Sequence, residues 1–73
     1  MAAREIERRV KEAIDRQPGI GARSIRPSVE SGVVTLHGSV RTFAERQSAE
    51  RAAEATTGVT EVRNHILVLP ARD

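Results

Sequence analysis

The chain has 73 residues with 12 basic and 10 acidic side chains, one Phe, one Met and no Cys, Trp or Tyr. Such a length supports one domain that buries only about 60% of its unfolded surface, with a core of Ile, Val, Leu and Ala. The composition excludes disulfides, thiolate metal sites and a cysteine nucleophile.

A pI near 10.4 overstates the basicity, because with a single Lys and no Tyr or Cys little titrates between pH 7 and 10. The net charge is +2, and no segment concentrates it. Residues 1–18 carry five basic and four acidic groups, 19–40 two and one, 41–57 three and three, and 58–73 two and two. A cationic block for phosphates and aromatics for base stacking are both missing, which argues against nucleic acid as a partner. The N-terminus is charged throughout, with no apolar leader, and no run approaches the roughly 20 apolar residues of a membrane span. As it stands the chain is expected to be soluble: cytoplasmic if complete, periplasmic or envelope-located if cut from a longer protein.

In residues 3–17, Ala3, Ile6, Val10, Ala13 and Ile14 recur at spacings of three and four and line one face of a helix. Three pairs with the acid four residues before the base, Glu5 with Arg9, Glu7 with Lys11 and Glu12 with Arg16, lace its outer face. Pro18 and Gly19 end it. From Ser24 to Glu30, Ile25, Pro27 and Val29 alternate with polar residues, the period of a half-buried strand, and Pro27 assigns it to a sheet edge.

Ser31 and Gly32 then separate two alternating runs, as in a tight hairpin. Beyond them Val34, Leu36, Gly38 and Val40 share one face, and Val33, Thr35, His37 and Ser39 the other. The glycines of "SGVVTLHG" lack the order and the Lys-Ser/Thr of a phosphate loop. Gly38 is read as a point where a helix approaches the sheet closely. Thr42 with Glu45 three residues later is a capping box. It opens a second helix from about Phe43 to Thr57, with Ala49, Ala52, Ala53 and Thr56 buried, Phe43 plugging one end and Gly58 at the left-handed C-terminal position. Finally Val62, Asn64, Ile66 and Val68 alternate with Arg63, His65, Leu67 and Leu69 in a third strand that Pro70 stops.

The resulting order, α-β-β-α-β, is an α+β two-layer sandwich. Its three-stranded mixed sheet has residues 33–39 in the middle, the third strand parallel to the second, and both helices on one face.

The segments "IRPSVESGVVTLHGSV" and "AERQSAERAAEATTGVTEVRNHILV", with the amphipathic helix before them, resemble the BON domain, a family named for bacterial osmotically induced and nodulation proteins. The matching set is Ile25, Val29, Gly32, Val34, Leu36, Gly38, Val40, Ala49, Ala53, Gly58, Val59, Val62, Asn64, Ile66 and Val68. It covers about Arg4 to Leu69 of a single domain spanning 1–73. Pro27 departs from the pattern, where a branched apolar residue is usual, and bears only on the pairing of that edge. The resemblance implies a non-enzymatic bacterial module, often in tandem copies, in periplasmic, envelope or osmotic-stress proteins, with phospholipid binding as its proposed role. "VRTFAERQSAER" looks like the last copy of tandem members, so the chain reads as an excised unit.

Two surfaces are candidates for function. Arg41, Arg46 and Arg51, with the apolar Phe43, form the expected site for anionic phospholipid, although Glu45, Glu50 and Glu54 offset those arginines and make weak, salt-sensitive binding the expectation. The alternative is protein association through the open sheet face, where Val33, Leu67 and Leu69 accompany Thr35, His37 and His65, with other BON domains or envelope proteins as partners. His37 and His65 without a carboxylate or thiolate make a poor metal shell, and the pattern calls for no metal, cofactor or small-molecule substrate. Asn64 faces the core side and is assigned to satisfying backbone groups near a strand end. No nucleophile motif or acid pair suggests catalysis.

Overall fold

The computed structural model describes residues 2–18 and 25–70. Helix α1 spans Ala3–Asp15, strand β1 Ile25–Glu30, strand β2 Val33–Val40, helix α2 Phe43–Glu54 and strand β3 Glu61–Val68. The strands lie in the order β1-β2-β3, with β1 antiparallel to β2 and β3 parallel to it. Gly19 and Ser24, expected to bound α1 and β1, lie outside the described residues.

The alternation of apolar side chains dictates the layering. Ile25, Val34, Leu36, Val40 and Ile66 point to one side of the sheet and are buried there with Ile6, Val10 and Ile14 of α1 and Ala49, Ala52 and Ala53 of α2. One cluster therefore takes side chains from both helices and from one sheet face, and the other face has no layer over it among the described residues. The alanine stripe lets α2 pack close to the sheet, since its side chains add only methyl groups to the layer formed by Leu36, Val40 and Ile66.

The β1–β2 connection is a two-residue turn in which both central residues have positive φ, Ser31 at 51° and Gly32 at 81°. That is the type I′ geometry whose twist matches the strands. A Cβ on Gly32 would stand 2.8 Å from the Thr60 hydroxyl oxygen. The Gly32 carbonyl accepts a 2.8 Å bond from the Thr60 N–H, so this turn seats the loop leading into β3. Gly38 has a φ of 134°, a backbone conformation that disfavours any Cβ, and this explains the glycine in place of a close helix.

Helix α2 ends three residues before the expected Thr57. After Glu54 the Thr56 N–H bonds the Ala53 carbonyl three residues back, and its hydroxyl donates to the Ala52 carbonyl at 3.0 Å. The last turn thus tightens before the Thr56-Thr57 pair, which is β-branched and a poor continuation. Gly58 has positive φ but lies beyond the cap. On α1 the expected Glu5–Arg9 pair forms at 3.1 Å, whereas Glu12 is met by Arg8 at 3.8 Å. Arg16 stands at the C-cap one turn beyond Glu12, where its N–H bonds the Glu12 carbonyl at 3.2 Å, while the Glu12 carboxylate is met by Arg8 instead.

Candidate functional site

The strand register sorts the open face into rows that cross all three strands. Glu30, Val33 and Glu61 form the row beside the hairpin turn, Ser28, Thr35 and Arg63 the next, and Arg26, His37 and His65 the third. Ser39 and Leu67 follow as register partners. The Leu69 N–H donates 2.7 Å to the Val40 carbonyl, so pairing continues one residue past β3. Successive rows are two residues, about 6.6 Å, apart. The face therefore grades from carboxylates at the turn, through hydroxyls and cations, to aliphatic side chains at the far end.

His37 and His65 are direct partners on neighbouring parallel strands, and their exposed rings stack with centroids 5.5 Å apart and planes 27° from parallel. Arg63 donates to the Glu61 carboxylate at 2.8 Å. That carboxylate, through its hydrogen bond and then its charge, raises the guanidinium above the ordinary arginine value. An open depression of about 390 Å³ runs between Ser28, Glu30, Val33, Thr35 and Arg63. Leu67 and Leu69 are 61% and 57% exposed. The structure thus brings together along one face all of the residues expected to meet a protein partner, Val33, Thr35, His37, His65, Leu67 and Leu69.

The four residues expected to meet lipid are distributed differently. Arg41 and Arg51 are exposed. Phe43, expected as a plug, is 60% exposed: at about 100° per residue it lies roughly a third of a turn from the buried alanine stripe, and the close seating of α2 leaves the ring outside. The guanidinium of Arg46 lies over that ring, 5.5 Å from its centroid. It also reaches across to β3, where Nε donates to the Ile66 carbonyl at 3.0 Å and Nη2 to the Asn64 carbonyl at 3.2 Å. Arg51 stands five residues further along α2, about 7.5 Å by the helical rise, so Arg46 and Phe43 form a unit that Arg51 does not join.

Asn64 completes the same latch. Its side-chain oxygen accepts from the Ile66 N–H at 3.0 Å, and its side-chain N–H₂ contacts the Arg46 carbonyl at 3.4 Å, so the amide serves backbone groups in the middle of β3. Residues 64 and 66 aim their main-chain groups away from β2, toward the free edge of the sheet, and the Arg46–Asn64 pair occupies them. The alternation assigns Asn64 to backbone groups near a strand end, and it serves them in mid-strand instead; nothing in the sequence marks Arg46 as its companion, because main-chain carbonyls as partners leave no trace in residue type. The β1 edge is closed differently. In a two-residue hairpin Glu30 and Val33 exchange both ladder bonds, so alternation makes Pro27 and Leu36 a non-bonded pair. The donor that proline lacks is therefore one that would face outward.

A second hollow, of about 600 Å³, lies between the helices and is lined by Arg8, Arg9, Glu12, Arg16, Ala52 and Thr56. Its charges are largely matched within α1, through Arg8 with Glu12 and Arg9 with Glu5. Among the described residues no group of three His, Cys, Asp or Glu side chains is placed to hold a metal ion, and no helix is long and apolar enough to cross a membrane.

The sequence pattern of the BON domain matches residues 2–70. The chain belongs to the BON domain family. Among curated proteins none matches it. Two solved structures similar to it are both of CdsD, a structural protein of the type III secretion system of Chlamydia trachomatis. One superposes with a TM-score of 0.83 at 15% identity over 99% of this chain and 34% of the other. The second, described as its C-terminal domain, gives 0.78 at 14% over 96% and 35%. At such identity the likeness is one of fold, and the BON chain spans about a third of the length of those solved chains. The family is one of small binding-type modules, and this member places both helices on one side of its sheet and no described element over the other.

Proposed function

We propose that this BON domain is a protein-interaction module that docks its partner on the open sheet face, as part of a bacterial envelope or osmotic-stress protein. The observation that carries this reading is the uncovered row end formed by Leu67 and Leu69, 61% and 57% exposed, on a face that no described element covers. Large apolar side chains held in water beside polar rows favour a partner that removes them from it. Both sheet edges are interrupted: Pro27 lacks a donor on one, and the Arg46–Asn64 latch occupies the Asn64 and Ile66 groups of the other, so strand addition meets a broken ladder at either edge. The fold shared with a structural protein of a secretion system supports association with protein, either another BON domain or an envelope component.

Anionic phospholipid is the second reading. The exposed Phe43 with Arg41 beside it at the start of α2 favours it, while Arg46 brings a guanidinium already bonded to two β3 carbonyls. An amide-shift titration with phosphatidylglycerol micelles, against phosphatidylcholine, separates the two. The protein-docking reading expects at most small shifts near Arg41 and Phe43 that vanish at moderate salt. Strong, salt-tolerant shifts across Arg41 to Arg51, seen only with phosphatidylglycerol, would replace it with a membrane module.

A further inference from the structure

Building on the open face as the docking surface, we propose that its partner is a second copy of this chain. The two pack face to face about a two-fold axis that crosses the strands at the Ser28–Thr35–Arg63 row. The charges of the face carry this. With neutral histidines those of its three strands sum to zero, Arg26 and Arg63 against Glu30 and Glu61, yet they are not all matched within the chain. Arg63 is held by Glu61 at 2.8 Å. Arg26 and Glu30 are both exposed, and neither has an ion-pair partner among the described residues. Both lie on β1, where four residues of strand set them about 13 Å apart, too far to meet each other.

Across the axis they meet twice. The rotation keeps each strand over its own counterpart and reverses its direction, so Arg26 faces Glu30 of the second copy and Glu30 faces Arg26 of the second copy, the reciprocity of an isologous interface. A uniformly acidic or basic partner would match one end of β1 and oppose the other; a second copy matches both. Thr35 comes opposite Thr35, and each Glu61–Arg63 pair meets its own mate as a neutral unit. Sheets in aligned packing stand about 10 Å apart with their strands turned by about 30°, a gap that an arginine and a glutamate reaching from opposite sides span. Leu67, one row past the histidines, comes over the hairpin-turn end of the second copy and leaves water there. Three strands and five rows make roughly 400 Å² per copy, the size of a small, reversible contact.

The test is sedimentation equilibrium at low salt, up to about 1 mM chain, the concentration scale of a contact this small. The native chain is compared with Arg26→Glu, with Glu30→Arg, with an equimolar mixture of the two, and with the double variant Arg26→Glu/Glu30→Arg. All substitutions are at exposed positions, and matching thermal unfolding checks that the fold is retained. The native chain should dimerise. Each single reversal should weaken dimerisation about tenfold, the scale of two surface ion pairs turned into two repulsions. The mixture and the double variant should recover it, because both restore opposite charges across the axis. Thr35→Lys, which sets two ammonium groups against each other beside Arg63, should abolish it. A native monomer at the highest concentration, single reversals that associate like the native chain, or a mixture no tighter than its components would overturn the second copy. Association that survives Thr35→Lys would move the contact from the open face to the β1 edge and overturn the packing proposed. If the second copy fails, the open face stands or falls separately, on whether cross-links from Thr35 and Leu67 reach a different protein.

Discussion

Replacing Arg46 by Met keeps the aliphatic stem along α2 and removes the guanidinium that joins this helix to β3. Two donations from a cation are lost, at 3.0 Å to the Ile66 carbonyl and 3.2 Å to the Asn64 carbonyl, together with the contact over Phe43. Hydrogen bonds to charged groups contribute about 1.5–3 kcal/mol each when shielded. The carbonyls here sit at a sheet edge where water replaces the lost donor, so the pair together is worth about 2 kcal/mol. A domain of this size has a total stability of about 4–11 kcal/mol, and the loss corresponds to about 8–16 °C in Tm.

Urea unfolding of Arg46→Met beside Arg51→Met, an exposed arginine of the same helix, measures it. Arg51→Met is expected within about 0.5 kcal/mol of the native chain. The freed β3 edge also gives Arg46→Met a concentration-dependent rise in light scattering that Arg51→Met lacks. Equal stability of the two variants would refute the latch.

Gly32→Ala places a Cβ at positive φ and 2.8 Å from the Thr60 hydroxyl. A loss of about 1–2 kcal/mol from φ alone is expected in chemical denaturation, and Thr60→Ala in the same chain recovers only the part due to the clash. Thr42→Ala removes one half of a capping box in which the threonine hydroxyl accepts from the Glu45 N–H at 3.1 Å; about 1 kcal/mol is expected, read from the denaturation midpoint at unchanged m-value. Leu36→Ala empties a fully buried position in the central strand and should remove about 2–5 kcal/mol, enough to show a large drop in Tm by calorimetry.

Period-two and period-3.6 patterns were sufficient to read the layers. Ile25, Val34, Leu36, Val40 and Ile66 fall on the buried face that their alternation assigns, and His37 and His65 meet across neighbouring strands as their register requires. Thr42 and Glu45 were legible as a cap because both partners are local in sequence. The illegible features are those whose partners are main chain or distant. Arg46, followed four residues later by Glu50, has the sequence of an ordinary surface pair, yet its guanidinium lies against carbonyls 18 and 20 residues away. Phe43 reads as a core residue by type and is left outside by the seating of an alanine-faced helix. The candidate interaction surface was legible as a set of residues but not as a graded set. The rows from Glu30 and Glu61 through the histidines to Leu67 exist only once β1 and β3 are laid in register against β2.

The most direct test of the account is a photo-cross-linking scan in the cells that naturally make the protein, with a benzophenone side chain placed at Thr35 or Leu67 on the open face and at Arg8 or Arg51 on the helical side. Discrete protein adducts from Thr35 and Leu67, and none from Arg8 and Arg51, are the predicted result. Adducts confined to the helical side would place the binding surface on the opposite layer and contradict the central claim.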